Sequence, residues 1–592
     1  MASGSKGHSV TPWLCRWLTG HRREVPANMW TSMPQVRQIG CLQRLICSDA
    51  VQDCLFLGLV IVASLALYVH SLGFYSDDWA FLGLLHESRD QSFAGLFAAV
   101  YTPNMWMRPV HALYLTALYW LFGLQPFGYH AVNAAVLVSI GTLSYMVLRE
   151  LGQPRALALA GPLVYALLPN YSTDRFWYAA FQATLSMALY LLSLYAGLRA
   201  VRACLGVWGW QALSVLTLIL SIFAYEVVLP LFILNLALVW YRSRQIRTPA
   251  LHRGRSGMRV AILLLTNAMA LVLVLIVKVR ATTRLGHETG SLGVGHIMAT
   301  VRQALSVNYG VYGIYELRTL GRIVPRYPSA VGLTLGAALG LVIFVYVYRI
   351  AGQAQRDRPM VAVALRFVVA GAIVFGLGYA VFLYIPIGFT STGIDNRVAI
   401  AAAAGVALSM VGGVALACRL VPSCRWGRAL FCLIITAIAT SSFLINNTLA
   451  RFWIAAYRQE QRIVAAMHGQ MPTLPAGSTV LLDGVCPYDG PAIIFDSTWD
   501  FQGAMWVYYA DETLRADVVR PGLKVRQDGV YTSFYGVEYR YPYKNLIIYH
   551  FGRRLAYRVP DEAAARSYFQ TFDRVPDNGC VRGTHGSGAS VI

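Results

Sequence analysis

Charged residues are scarce in this chain. They make up 13% of its 592 positions, against about 25% in an ordinary soluble domain. Hydrophobic residues reach 57% and the mean hydropathy is +0.51, which excludes an ordinary soluble enzyme and leaves a polytopic membrane protein. Acidic residues are scarcer than basic ones, 28 Asp+Glu against 49 Lys+Arg, for a formal charge of +21. Nucleic acid is excluded as a partner because long apolar stretches divide most of the basic residues among short loops, as membrane topology does. Nearly all the excess is Arg, a preference that codon bias in a GC-rich genome explains as well as chemistry does. No CxxC pair and no HExxH occurs, which argues against a dedicated zinc site, and no metal ligand is expected. The first 50 residues carry Lys6, Arg16, Arg22, Arg23, Arg37 and Arg44 but no apolar core followed by a small-residue cleavage site. They do not read as a secretory signal and are expected to stay in the cytoplasm.

Long hydrophobic runs are abundant. The first able to cross about 30 Å of hydrocarbon lies near 53–73, and others follow near 129–148, 156–170, 178–198, 209–224, 227–241, 260–279, 329–348, 362–385, 398–417 and 429–447. That predicts eleven spans within a membrane domain over 51–450, after a cytoplasmic tail over 1–50. The stretch Pro109 to Gly123 is apolar but too short to cross with ease. If it does not span, the loops at Arg149–Arg155, Arg199–Arg202, Arg242–Arg259, Arg349–Arg366 and Arg419–Arg428 share one side with the basic N-terminus, as the positive-inside rule requires. If it spans, those five loops and their seventeen Arg move outside. The first reading makes 109–123 a helix embedded in the outer interface, within a first periplasmic loop over 74–128.

After about Arg451, Pro, Asp, Gly and Tyr rise and apolar runs shrink to strand length, as at Ser478 to Leu482 and Leu546 to Tyr549. Residues 451–592 are therefore expected to form a small soluble α/β domain on the outer face, opening with helical periodicity over Phe452 to Met467. Of the ten Cys, only Cys486 and Cys580 fall in it, and an oxidising compartment would let them pair. Its aromatics, Trp499, Trp506, Tyr508, Tyr509, Tyr531, Tyr535, Tyr539, Tyr541 and Tyr543, suit sugar stacking but more commonly serve as core and strand residues.

Polar insertions gather at the outer ends of the spans. Just past the first stand Asp77 and Asp78, flanked by Tyr75 and Trp79; the plainer role for this stretch is an N-cap by Ser76 or Asp77 on a short amphipathic helix. Met107 to His111 brings Arg108 to the Pro109 helix start, where guanidinium can pair with a phosphate or simply snorkel to lipid. Asp174 and Arg175 follow the third span, and could merely neutralise each other. Tyr225 and Glu226 form a short turn, where an acid is expensive unless it meets water or a partner. Asp395 and Arg397 lie at the end of the tenth. Four acidic sites and three Arg at one face suit transfer from a lipid-carried phosphate ester, with a carboxylate taking a proton from an acceptor hydroxyl and Arg steadying the departing phosphate.

The order of these features resembles the integral-membrane GT-C glycosyltransferases, which include protein O-mannosyltransferases, oligosaccharyltransferase subunits and aminoarabinose transferases. The carriers are the Asp77-Asp78 doublet, Arg108-Pro109, LFGLQPFGYHAVNAAVL from Leu121 to Leu137, LLPNYSTDRFW around Asp174, and FAYEVVLPL around Glu226. The resemblance covers residues 50 to 240 well and later spans loosely. It implies a bacterial inner-membrane enzyme with a polyprenyl-phosphate-linked sugar as donor and a glycan, lipid or protein acceptor, embedded among membrane lipids. Asp77 or Asp78 would be the base, and Asp174, Glu226, His111 and Tyr225 would line the donor and acceptor cavity. Arg108, Arg175 and Arg397 would bind phosphate. No resident cofactor is implied, and a divalent cation is compatible with the pattern. The WWDYG-type signature of oligosaccharyltransferases is missing, as are the central repeats of eukaryotic-type protein O-mannosyltransferases, so an envelope polymer, glycolipid or protein fits better as acceptor. The competing readings are a lipid-linked glycan flippase or transporter, an O-antigen ligase or polymerase with its key groups in the long loop Arg280 to Pro328, and a scaffolding protein. Charges confined to one face, without paired repeats, argue against a transporter.

Overall fold

The computed structural model describes residues 48–203, 205–245, 253–285, 293–353, 360–383, 388–534 and 536–571. The N-terminal tail up to residue 47, Tyr535 and Cys580 lie outside the described residues. The predicted runs all become helices: α1 Asp49–Leu65, α5 Pro126–Glu150, α6 Arg155–Leu167, α7 Phe181–Arg202, α8 Val207–Ala224, α9 Leu231–Gln245, α10 Arg253–Leu285, α13 Ala330–Gln353, α14 Met360–Tyr379, α15 Ile400–Ala417 and α16 Cys424–Gln470. Between them lie the shorter α2 Asp77–His86, α3 Phe93–Val100, α4 Pro109–Phe122, α11 Val294–Leu305 and α12 Glu316–Ile323. Eight of the described helices are long and apolar enough to cross a membrane. Three shorter ones, α1, α6 and α9, carry the chain between the same two ends with the help of the turns that follow or precede them.

Those ends differ in chemistry. At the basic end, Asp53 is fully buried and accepts from Arg155 Nε at 2.8 Å, Tyr145 at 2.5 Å and Tyr346 at 2.8 Å. Beside it Glu150 pairs with Arg199 at 3.0 Å and Arg202 at 3.4 Å, and Arg259 donates to the carbonyls of Ala200 and Ala203. The basic loops therefore share one end. The opposite end gathers every acid and Arg singled out above and is called the site end below.

Helix α4 stays at the site end throughout. Its start at Arg108 meets Glu226, Leu115 O accepts from Tyr178, and Tyr119 meets His86 on α2 at 3.2 Å. Just beyond it, His130 contacts Gly73 O at 3.0 Å. Pro109 at its first turn and Gly123 at φ 52° just past its last residue bound it, the first because proline needs no amide partner there and the second because only glycine adopts that backbone cheaply.

The segment after α10 folds back at the same end. A π-helical stretch, Ser306–Ile314, follows α11, with Asn308 donating to Tyr379 at 2.6 Å and Tyr312 to Ser391 O at 2.6 Å. Glu316 accepts from Ser441 and Ser442 on α16 at 2.7 and 3.0 Å. The described part of the long loop thus packs against α14 and α16, and its Arg302, Gln303 and Ser306 line a cavity of about 430 Å³ with Phe389, Thr390 and Ser391. Helices α14 and α15 cross at glycines: a Cβ on Gly405 would stand 2.3 Å from Phe375 N, and one on Gly378 2.5 Å from Ala402 N. Close backbone approach of this kind replaces the hydrophobic drive that is missing between helices in lipid.

Helix α16 runs 47 residues without a break, so the last span and the helix expected over Phe452 to Met467 are one rod, and position 451 lies inside it. Beyond it the two predicted strands are β1 Thr479–Asp483 and β3 Leu546–His550, paired in parallel with Thr479 opposite Leu546. With β2 Arg515–Val518 and β4 Leu555–Arg558 they form a sheet in the order β2-β1-β3-β4, where only β4 is antiparallel. Helix α17 Thr498–Tyr509 packs this unit onto α2. The fold is a polytopic helical membrane protein with a small strand-containing C-terminal unit. Cys486 is disulfide-bonded.

Candidate active site

The chain emerging from α1 turns sharply before α2. Ser76 holds φ 47° and ψ −121°, a conformation that costs a non-glycine residue of order 1–3 kcal/mol. It occupies the N-cap position, but its side chain makes no capping bond, in contrast to the cap expected there. Asp78 secures the turn instead: its Oδ2 accepts from Tyr75 N at 2.8 Å and its Oδ1 from Ala179 N at 2.7 Å, and it is fully buried. Asp78 thereby ties the first loop to the segment that carries Asp174.

Asp77 is only half-buried, and its Oδ1 accepts from the indole Nε1 of Trp499 on α17 at 2.8 Å. Burial raises its pKa above the ordinary carboxylate value; Arg397 and the Trp499 bond oppose that rise, and Asp496 adds to it. The two neighbouring carboxylates thus have different jobs available to them. One is consumed by backbone amides and the other has an oxygen to spare.

Arg397 reaches this place through a zipped pair of loops. Asn396 accepts from Thr173 N and Ser172 Oγ at 3.1 Å each, and donates to Asn170 O and Ser391 O at 2.8 Å each, while Thr173 Oγ1 donates to Gly393 O at 2.6 Å. The guanidinium of Arg397 lies 5.0 Å from the Trp177 ring centroid and donates to Ile394 O at 2.7 Å. Trp177 in turn donates to Tyr75 O at 2.9 Å, next to the doublet. Arg397 has no ion-pair partner among the described residues, yet its charge is the largest opposing the burial of both Asp77 and Asp174. Asp174 is fully buried, and neither of its oxygens has a hydrogen-bond partner. Burial drives its pKa well above the usual range, against the pull of Arg397 and Arg175. A phosphate beside Arg397 would therefore meet one cation, one ionisable carboxylate with a spare oxygen, and one carboxyl pushed towards its neutral form.

Four of the expected site residues are placed otherwise than expected. Arg175 was expected to bind phosphate, but it is buried at 3% exposure, donates to Ala166 O and lies 5.3 Å from the Tyr171 ring centroid, so it is consumed inside the fold. Glu226 is not an open cavity acid. Arg108 Nη2 meets its Oε1 at 2.5 Å and Lys278 Nζ meets its Oε2 at 3.1 Å. Burial alone would raise the Glu226 pKa, but Arg108 and Lys278 outweigh it and hold the carboxyl well below its usual range. Arg108 is correspondingly not an unengaged phosphate ligand, because its charge is matched by Glu226 and its plane lies 4.7 Å from the Tyr225 ring centroid. His111 is buried against Phe81, with rings 6.0 Å apart, and neither ring nitrogen has a partner. Burial first and Arg108 second lower its pKa to about 3, so it is a neutral imidazole at pH 7.

Of the outer aromatics, Trp499 faces the site, whereas Trp506, Tyr508, Tyr509, Tyr541 and Tyr543 direct their polar atoms to Leu514 O, Gln461, Met471 O, Asp517 and Arg526 O. Sequence reasoning missed Lys278, Asn396, Asp496 and Trp177 as individual participants. Lys278 carried a readable signal, a charge near the end of an otherwise apolar run. Asn396 and Asp496 carried none. Among the described residues no group of three or more His, Cys, Asp or Glu is placed to hold a metal ion.

No family model matches the chain, and no curated protein matches it. Among solved structures it is similar to ArnT from Cupriavidus metallidurans bound to undecaprenyl phosphate, at 14% identity over 78% of this chain and 86% of that one, with a TM-score of 0.32. ArnT from the same organism in the apo state is similar at 15% identity over 77% and 84%, again with a TM-score of 0.32. At that TM-score the functional reading has to rest on the residues of this chain.

Proposed function

We propose that this chain is a membrane glycosyltransferase that moves a sugar from a polyprenyl-phosphate donor to a hydroxyl acceptor, a cell-envelope glycan, glycolipid or protein, at the outer face of a bacterial cytoplasmic membrane. The observation that carries the reading is the division of labour at the doublet: Asp78 is locked by two backbone amides, while Asp77 keeps one oxygen unbound by Trp499, within the field of an Arg397 that has no ion-pair partner among the described residues. The order of sequence features resembling GT-C enzymes supports the same donor class.

In this mechanism Asp77 accepts the proton of the acceptor hydroxyl. The acceptor oxygen attacks the anomeric carbon, and the bond from that carbon to the phosphate oxygen breaks. The electron pair leaves with the polyprenyl phosphate, whose new charge Arg397 stabilises. The raised pKa of Asp77 makes it a better base than an exposed aspartate. Trp499 fixes its orientation. The positive-inside rule places the basic end in the cytoplasm and the site end, with the C-terminal unit, outside.

The test uses the full chain in nanodiscs supplied with lipid-linked sugars extracted from the parent membranes and an envelope acceptor fraction. Mass spectrometry should detect liberated polyprenyl phosphate that depends on the acceptor and vanishes with Asp77→Asn. Release that is unchanged in that variant would refute the assignment.

A further inference from the structure

A cavity lies away from the doublet. Helices α5, α6, α7, α9, α14 and α15 surround a cavity of about 590 Å³. It runs from Leu151 and Leu238 near the basic end up to Tyr165 and Leu231 beneath the site end, and its lining is almost wholly aliphatic. Arg366 is the one charged residue among the lining side chains. It sits six residues into α14, about 9 Å of rise from the helix start. The same helix face carries Leu365, Val369 and Ile373, each 47–52% exposed because no neighbouring helix covers them. Arg366 has no ion-pair or hydrogen-bond partner among the described residues. Arg242, at the end of α9, brings a second guanidinium to the mouth: it lies 4.0 Å from where a Cβ on Gly152, next to Leu151, would stand.

Apolar cavities do not hold water; they take apolar ligands. A guanidinium placed within the hydrocarbon depth of a span is costly unless a counter-group meets it, and a phosphate meets it bidentately. We propose that the cavity holds one acyl chain of an anionic phospholipid from the leaflet at the basic end, with Arg366 ligating the phosphate and Arg242 beside it. The net charge of the headgroup matters because a zwitterionic lipid would bring an ammonium group between two guanidiniums that meet no carboxylate among the described residues. The site is independent of the glycosyltransferase reading, and its occupant would hold α14 against α9 where protein contacts leave a gap.

The experiment measures lipids retained by the purified full chain by extraction and mass spectrometry, relative to bulk membrane composition. Phosphatidylglycerol or cardiolipin should be enriched over phosphatidylethanolamine. The enrichment should fall about tenfold in Arg366→Glu, the loss of one charge-assisted contact. It should fall similarly in Ala370→Trp, which fills the cavity from an exposed position, and persist in Arg349→Gln, an exposed Arg at the same end outside the lining. If Arg366→Glu does not purify as a single species, Arg366→Gln and Ala370→Trp decide the matter. Unchanged enrichment in the cavity variants, equal loss in Arg349→Gln, no enriched lipid, or retention of polyprenyl phosphate at this site instead would each overturn the proposal.

Discussion

The indole nitrogen of Trp499 donates to Asp77 at 2.8 Å, joining residues 422 positions apart. The contact depends on two glycines where α17 crosses α2: a Cβ on Gly503 would stand 2.2 Å from Trp79 O, and one on Gly83 3.0 Å from Gly503 Cα. Trp79 then donates to the fully buried Glu460 of α16 at 3.1 Å. The C-terminal unit is thereby part of the wall that orients the catalytic candidate, and its removal should abolish transfer even though every span remains.

The doublet should separate by phenotype. Asp77→Asn is expected to lower turnover by about 10²–10⁴-fold, the usual weight of a general base, with little change in thermal unfolding. Asp78→Ala should lower stability by about 3 kcal/mol because the amides of Tyr75 and Ala179 lose their acceptor inside the fold. Thermal unfolding in detergent alongside the transfer assay distinguishes the two.

The pH profile carries a sign. Because burial raises the Asp77 pKa, the acid limb of kcat/KM should have its midpoint above the ordinary value of about 4. Arg397→Gln removes a charge that favours the ionised form, so the midpoint should move up. Trp499→Phe should move it up by less, and Asp496→Asn should move it down. A profile shifted the same way by all three variants would contradict this placement.

Glu226 should report on stability rather than turnover. Its folded pKa lies below its unfolded value, so its contribution is full above about pH 4 and is lost as acid protonates it. Glu226→Gln should cost about 3 kcal/mol at pH 7 by removing the carboxylate that Arg108 and Lys278 both meet, and the difference from wild type should shrink at low pH. Adding Lys278→Met should recover part of the loss, which denaturant titration of the double variant measures.

Strain at Ser76 predicts an unusual gain. Ser76→Gly should stabilise the protein by up to about 1 kcal/mol, since glycine adopts φ 47° freely, and Ser76→Val should destabilise it by more than that. Unfolding midpoints of the two variants, read together, check the turn.

The apolar helices, the short α4 and strands β1 and β3 were legible because hydropathy and length are local quantities. The continuity of α16 was not, since its amphipathic and apolar parts differ in composition at the point where they join. The site was legible as a set of residues at one end but not as a set of partners. Whether Arg108 waits for a phosphate or holds Glu226 depends on contacts 118 residues apart, and Arg175 turns inward only because Ala166 O and Tyr171 meet it there.

Topology can be checked on its own: an impermeant thiol reagent added outside should label Lys544→Cys and spare Arg419→Cys, both exposed positions at opposite ends. The most direct test of the central claim is mass spectrometry of envelope glycans, glycolipids and glycoproteins from cells deleted for this chain and complemented with wild type or Asp77→Asn. The account predicts a hexose or pentose that is lost on deletion, restored by wild type, and still missing with Asp77→Asn despite normal membrane levels of the variant. Equal restoration by both proteins, or an envelope unchanged by the deletion, would contradict it.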